Sequence, residues 1–469
     1  MKDSVIKSGI RNTMYVIFAQ LLNLVFGITK GLILPIILGV SNFGYWQVYV
    51  LYSAYLGVFS FGFNDGIYLI YSKYNYDELP KPLFRSSIRL FLLMQFIITG
   101  LLFLLLIFEK DLNKKSALTW TIINIPIIGL TGVLTYILQI TNQVKKYSVF
   151  ITVDKILILV FIYIILLFKS DNYLIVIIAD TMSRFLVLIL LAYSCRDIIL
   201  GKGIIYKKVF SEFVIIVQAG LKLMFSNLIG MIILGLGRII VERFESIQNY
   251  AYYSFAISTT GIVLNFINAV GLVIYPTFSR MDESKHNKYM VYLNEIICII
   301  IYALLILYFP IVYIVNTVLI EYKSILIYLP FIFGTIFVQA KMQIIVNLYY
   351  KLLRLEKSML KANINGLILA VIMIIPSYIA YRSVLSIAVS TLLAMIIRLY
   401  ISELEIKRYL GIKNYSMMIL ELLYLTIFII LAYNFSINSL VIYILLYITY
   451  CIAKKQVIII FYNIVKGKM

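Results

Sequence analysis

The chain has 469 residues, 63% of them hydrophobic and 13% charged, with 41 Lys and Arg against 21 Asp and Glu and a formal net charge of +20. This composition excludes an ordinary soluble domain, and apolar runs of about 20 residues exclude the alternating pattern of a β-barrel. The basic residues lie between the apolar runs, so they read as topology determinants facing anionic lipid, with nucleic acid excluded as a partner.

The expected fold is an all-α polytopic membrane protein with about fourteen transmembrane helices. They fall at 14–38, 45–71, 88–108, 118–140, 149–168, 173–193, 219–241, 250–275, 291–317, 325–349, 362–381, 384–402, 417–434 and 439–460. The first is too long for a signal peptide, and no small-residue cleavage site follows it. It carries Asn23, Lys30 and Pro35. Gly39 to Gly44 is expected to turn the chain, and the second segment ends in Gly62-Phe63-Asn64-Asp65-Gly66. With the N-terminus placed in the cytoplasm, alternate connections hold 28 basic residues on that side and 7 on the other, with 6 of the 41 inside or at the ends of spans. A fourfold bias across every connection predicts an even number of spans with both termini inside. The external connections are short; the longest, near Glu109 to Ala117, leaves no room for an extramembrane domain. Ser194 to Gln218 is the longest internal connection, and its segment around Lys207-Lys208 reads as an amphipathic surface helix.

That connection divides the chain, and landmarks repeat across it. Lys30 is matched by Arg238, 208 positions later, Pro126 by Pro330, 204 later, and Asn142 by Asn347, 205 later. The pattern predicts two six-helix lobes, 1–205 and 206–405, related by a pseudo-twofold axis along the membrane normal, with two additional helices in 406–469. Those last two have no counterpart and read as an appendage.

Six basic residues are left at membrane depth. Lys222 and Arg398 lie near cytoplasmic ends and can snorkel. Lys30, Arg184, Arg238 and Lys341 are deeper, where a cation costs about 2.5–3.5 kcal/mol on insertion scales. Asp180 stands four before Arg184, and Glu242 four after Arg238, so each pair can neutralise itself. Lys30 and Lys341 have no acidic neighbour in their own helices. Deep cations with few deep acids predict an electropositive, water-accessible cavity for an anion such as phosphate or pyrophosphate. Asp65 and Asp180 are the acids placed to exchange a proton or bind sodium. Cys195, Cys298 and Cys451 are far apart, with no CxxC, and His286 lies in a charged loop, so neither a disulfide nor a metal site is expected. No P-loop, DxD-like site or nucleophile motif is present, so no enzyme activity and no cofactor beyond coupling H+ or Na+ is expected. The tyrosines Tyr49, Tyr52, Tyr55 and Tyr68 read as interface belts and helix packing, though tyrosines in a wet cavity can also bind sugars.

Pro35-Ile-Ile-Leu-Gly39 followed by Phe43-Gly44 resembles the signature after the first span of Wzx-type polysaccharide flippases. Gly62-Phe63-Asn64-Asp65-Gly66, Tyr275-Pro276-Thr277-Phe278 and the six-plus-six-plus-two arrangement are similar too. These flippases belong to the multidrug/oligosaccharidyl-lipid/polysaccharide exporter superfamily. The resemblance implies alternating access of two lobes in a bacterial inner membrane. The cargo would be undecaprenyl-pyrophosphate-linked oligosaccharide repeat units for surface polysaccharide (O-antigen or capsule). It implies membrane lipid, a polysaccharide polymerase and a chain-length protein as partners, and basic residues in the central cavity, as at Lys30, Arg238 and Lys341. Gly237 stands before Arg238 where many relatives carry an acid. The alternatives are a small-molecule exporter of the same superfamily, a polysaccharide polymerase or ligase, and a flippase for the peptidoglycan precursor. The first would favour acids in an aromatic cavity, and the second a large catalytic external loop.

Overall fold

Inside a bilayer no water satisfies backbone N–H and C=O groups, so long apolar segments close their hydrogen bonds within helices. The structure, a computed structural model, describes residues 25–203, 206–278 and 286–457, without the side chains of 144, 206–208, 266, 268–278, 286, 288, 289 and 356. The beginning of the first expected segment lies outside the described residues. So do Lys2, Lys7, Arg11, Asn23, Arg280, Lys285, Lys466 and Lys468, and the side chains of Lys207, Lys208, Lys288, His286 and Tyr275 to Phe278.

The chain divides into two compact units, Met1–Gly235 and Leu236–Met469. Unit 1 contains α1 (Leu34–Ala54), α2 (Phe63–Tyr71), α3 (Lys81–Leu105), α4 (Leu112–Ile140), α5 (Val144–Leu167), α6 (Tyr173–Ser194), the short α7 (Arg196–Ile199) and most of α8 (Tyr206–Phe244). Unit 2 continues with α9 (Ile247–Phe278), α10 (His286–Leu305), α11 (Tyr308–Thr317), α12 (Leu329–Lys341), α13 (Asn347–Leu352), α14 (Glu356–Tyr381), α15 (Val384–Tyr409), α16 (Ser416–Tyr433) and α17 (Ile437–Ala453). Among the described residues no strand occurs.

Among the described residues eleven helices are long and apolar enough to cross a membrane, and Ile437–Ala453 is a shorter apolar one. One of the eleven, Val25–Ser60, joins the first two expected segments. It is broken at Gly39, whose φ of 66° and ψ of 176° lie outside the helical region. With α9 in addition, the helices are compatible with the fourteen expected. The second expected segment is itself broken. A 3-10 turn at Leu56–Ser60 and left-handed residues at Phe61 and Gly62 precede α2. Several helix starts carry their own caps. The Asp111 carboxylate accepts from the Asn113 and Lys114 amides at 2.9 and 3.2 Å, and Asn172, Ser383 and Ser436 cap α6, α15 and α17 in the same way.

Each unit is built around one helix. In unit 1, α4 packs on α1, α2, α3 and α6; in unit 2, α12 packs on α9, α10, α15 and α16. Pro126 lies in the first hub and Pro330 starts the second. The outer helices expose apolar faces suited to lipid tails, such as Leu101, Leu104 and Leu105 on α3. α16 and α17 are joined to the interior of unit 2: Tyr424 and Tyr450 pack on the ring of Tyr302, and the Tyr443 hydroxyl donates to the Tyr302 carbonyl at 3.1 Å.

Close backbone contact fixes α2. Gly62 and Gly66 form a G-x-x-x-G step, and Gly220 of α8 seats in it. A Cβ on Gly220 would overlap the Gly62 carbonyl and the Gly66 amide, and one on Gly66 would overlap the Ile216 carbonyl.

Candidate functional site

Lys30 lies in a π-helical turn, Thr29–Ile33, that leads into α1. Such a turn holds one residue more than the α-helical turn it replaces, and π-turns recur at functional sites. Its Nζ is 3.0 Å from Asp180 Oδ1 on α6. Arg184, one turn further along α6, places Nη2 2.8 Å from Asp180 Oδ2, and the Tyr49 hydroxyl of α1 donates to that same oxygen at 2.8 Å. Asn124 of the hub α4 steadies the group. Its Nδ2 reaches the Tyr49 hydroxyl at 3.3 Å, the Thr181 hydroxyl at 2.8 Å and the Trp120 carbonyl at 2.8 Å. Asp180 therefore serves two cations and a phenol at once.

Aromatic faces complete the site. Lys30 Nζ lies 4.3 Å from the centre of the Phe26 ring and 4.9 Å from Trp46. Lys155 of α5 lies 4.7 Å from the centre of the same Phe26 ring, so two ammonium groups contact one ring. Lys155 also pairs with Asp154 at 3.0 Å, and Ser183 of α6 donates to Asp154 Oδ1 at 3.2 Å. Three cations thus meet two carboxylates, which leaves the cluster positive. The Asp180 side chain is 6% exposed, whereas Lys30 and Arg184 keep 22% and 27% of theirs accessible. The lysine ammonium and the guanidinium fork are thus only partly used by Asp180, which leaves donors for an anion.

The other predicted residues have surroundings of their own. Asp65 is buried at the first turn of α2, with the Tyr136 hydroxyl as its side-chain neighbour. Arg238 lies on α8 just inside unit 2, half-buried, with Nη2 3.5 Å from the Tyr250 hydroxyl. Lys341 ends α12 immediately before a second π-helical turn, Met342–Val346. As with Lys30 and Asp180, the lack of an acidic neighbour in its own helix does not leave it unpaired. Its Nζ is 2.8 Å from Glu403 on α15 and 2.5 Å from Glu421 on α16, and all three side chains are fully buried. Lys407 meets Glu403 at 3.0 Å, and Asn294 donates to Glu421 at 2.6 Å. Two lysines balance two glutamates in a closed network, so Lys341 offers no surface to a ligand in this conformation.

The expectation of few deep acids is corrected by the same observation, because hydropathy averages over a segment and hides single charges in it. Glu403 and Lys407 were legible as an i, i+4 pair, and Glu421 as a lone acid in an apolar segment. Lys155, counted with the cytoplasmic basic residues, belongs to α5 and to the Phe26 site. Tyr49, read as belt or packing, is an Asp180 ligand. Asn124 and Phe26 carried no signal of their own in the sequence.

A family described as "Polysaccharide biosynthesis protein" matches residues 10–282, more than half of the chain. The chain belongs to this family. No curated protein sequence matches it. Among solved structures, this polysaccharide biosynthesis protein is similar to the lipid II flippase MurJ in an inward closed conformation, at 16% identity and a TM-score of 0.66, covering 96% of this chain and 100% of MurJ. It is also similar to an inward-facing multidrug resistance MATE family transporter of the MOP superfamily, at 15% identity and a TM-score of 0.55 over 84% and 96% of the two chains. A third is a MOP superfamily transporter from Pyrococcus furiosus Vc1 (DSM3638), at 12% identity and a TM-score of 0.52 over 85% and 95%. The resemblance read in the signature around Pro35 and Gly39 and the polytopic all-α fold are thus supported by family and fold alike. The protein is a multi-pass membrane protein with the MurJ/MATE fold.

Proposed function

We propose that this protein is a flippase that moves undecaprenyl-pyrophosphate-linked oligosaccharide repeat units across the bacterial inner membrane by alternating access, for surface polysaccharide assembly. One observation carries the reading: Lys30, Arg184 and Lys155 outnumber their carboxylates inside the membrane-spanning helices of unit 1, with Lys30 and Arg184 partly accessible. A surplus cation at that depth is costly, and an anionic cargo recovers the cost. Lys30 and Arg184 hold the pyrophosphate, and Phe26 offers a flat apolar face beside it, with Trp46 buried on the lysine. Arg238 remains a candidate ligand for the acidic sugars of the cargo, and the lipid tail stays in the bilayer. Lys341, enclosed by Glu403 and Glu421, is withdrawn from cargo contact in this reading and holds unit 2 together. Asp180 and Asp65 remain the candidates for coupling to H+ or Na+. Membership of the polysaccharide biosynthesis family supports this cargo class.

Lys30→Ala or Arg238→Ala should abolish surface polysaccharide while the protein accumulates and inserts normally; unchanged polymer defeats the assignment. The fold shared with MurJ favours one second reading, a flippase for the peptidoglycan precursor. Deletion of the gene separates the two, since loss of viability without loss of surface glycan selects the second.

A further inference from the structure

We propose that Asp180 is a built-in stand-in for the phosphate of the cargo: it holds Lys30 and Arg184 while the site is empty and is displaced from them when a pyrophosphate enters. This rests on the reading that Lys30 and Arg184 are the cargo's phosphate ligands. Burial divides the cluster. Asp180 is buried, with Oδ1 on Lys30 at 3.0 Å and Oδ2 on Arg184 at 2.8 Å, while both cations keep part of their surface accessible. Lys30 and Arg184 can therefore exchange a buried monoanion for a multiply charged phosphate that reaches their accessible surface.

Asp180 is equipped to lose its cations. Tyr49 donates to Oδ2 at 2.8 Å and is itself held by Asn124, so a neutral donor stays on the carboxylate after Lys30 and Arg184 leave. A buried carboxylate stripped of all donors would be prohibitively costly, and one that keeps a phenol is less so. The same arrangement sets release. Without an internal competitor, two desolvated cations would bind a pyrophosphate too tightly to let it go, and the empty site would carry unbalanced charge in a low dielectric. Affinity for the phosphate is then the difference between two anions competing for one pair of cations.

The test is binding to detergent-solubilised full-length protein, with inorganic pyrophosphate and with farnesyl pyrophosphate as probes. Asp180→Asn should tighten binding by about tenfold or more, and Lys30→Gln should weaken it by a similar factor. A gain with farnesyl pyrophosphate alone supports the competition and places the phosphate on a lipid; a gain with inorganic pyrophosphate alone supports it for the free anion. No gain with either, while Lys30→Gln weakens binding, overturns the competition and leaves the proposed function standing. Unchanged binding in Lys30→Gln and Arg184→Gln removes the phosphate site itself. Should Asp180→Asn fail to fold, the wild-type protein decides. Its infrared difference spectrum on pyrophosphate addition should show a carboxylate band shifting as Asp180 loses its cations, and that band should move in Asp180→Glu. Binding with no change in any carboxylate band overturns the proposal.

Discussion

At the scale of single residues, the two deep lysines show how the same costly charge is handled in two ways. Lys30 shares one carboxylate with Arg184 and keeps a face open, whereas Lys341 is enclosed by two. Removing one partner of a buried ionic network leaves an uncompensated charge, which costs about 3–5 kcal/mol. Lys341→Met should therefore lower the melting temperature sharply, because Glu421 loses its only ammonium partner among the described residues while Glu403 retains Lys407. Adding Glu421→Gln to Lys341→Met should restore part of the loss, since the Glu403–Lys407 pair then stands alone and balanced. A double variant as unstable as, or less stable than, Lys341→Met would show that packing around Lys341 matters more than charge. Outside the membrane, Asp197 of α7 gives a pH-dependent counterpart. Burial pushes its carboxyl up, but hydrogen bonds from Lys81 at 2.6 Å and Tyr76 at 2.7 Å outweigh it and hold the group below its ordinary value. The stabilisation is therefore present above the unfolded-state value of about 3.9 and is lost as the pH falls through the lower folded value. The side chain is 38% exposed, so the screened contribution is about 1 kcal/mol or less. Asp197→Asn should lower the melting temperature slightly at pH 7, and the difference should shrink as the pH is lowered below the unfolded-state value, in thermal scans of the solubilised protein.

At the scale of elements, glycines decide where the helices bend and touch. Gly39 has φ 66° and ψ 176°, a region essentially restricted to glycine, and it falls where the sequence led to the expectation of a turn. Gly220 and Gly230 lie on the same helix and test close packing against mere helix propensity. A Cβ at Gly220 meets the backbone of Gly62 and Gly66, whereas one at Gly230 meets nothing within 4 Å. Gly220→Ala should destabilise by about 1–3 kcal/mol through overpacking. Gly230→Ala should be neutral or stabilising by about 1 kcal/mol or less. Equal effects in melting scans would rule out the α2–α8 contact as the reason for Gly220. These residues also show how far the sequence could be read. Apolar runs and the residues around Gly39 disclosed helices and the first break, because both are local properties. The partners of Lys30 and Lys341 were not legible, because Asp180 stands 150 positions from Lys30, and Glu403 and Glu421 stand 62 and 80 from Lys341. Only packing around α4 and α12 brings those carboxylates in. The Gly62-x-x-x-Gly66 step was visible as a motif, yet its partner Gly220 was not.

At the scale of the whole molecule, the distribution of basic residues predicts an orientation that a labelling experiment can overturn. Lys110 lies before α4 and Lys202 after α7, and three crossing helices, α4, α5 and α6, separate them. An odd number of crossings places the two on opposite sides of the membrane. The Lys202 side carries the dense basic set, including Lys81, Arg85 and Arg89, and the structure ties that set together: Arg85 donates to the carbonyls of Asp197 and Lys202, and Arg89 to that of Gly201. Basic connections stay in the cytoplasm because moving them across the membrane is opposed during insertion. Both Lys110 and Lys202 are exposed, Cys195 and Cys298 are buried, and Cys451 alone needs replacement by Ser to give a quiet background. A membrane-impermeant maleimide applied to intact spheroplasts should then label Lys110→Cys and not Lys202→Cys, with both labelled after lysis. Labelling of Lys202→Cys alone would invert the molecule, placing the basic set and the termini outside. Labelling of both before lysis would mean that α4, α5 and α6 do not make three crossings, and the polar cluster of unit 1 would lose the membrane setting on which its proposed charge logic depends.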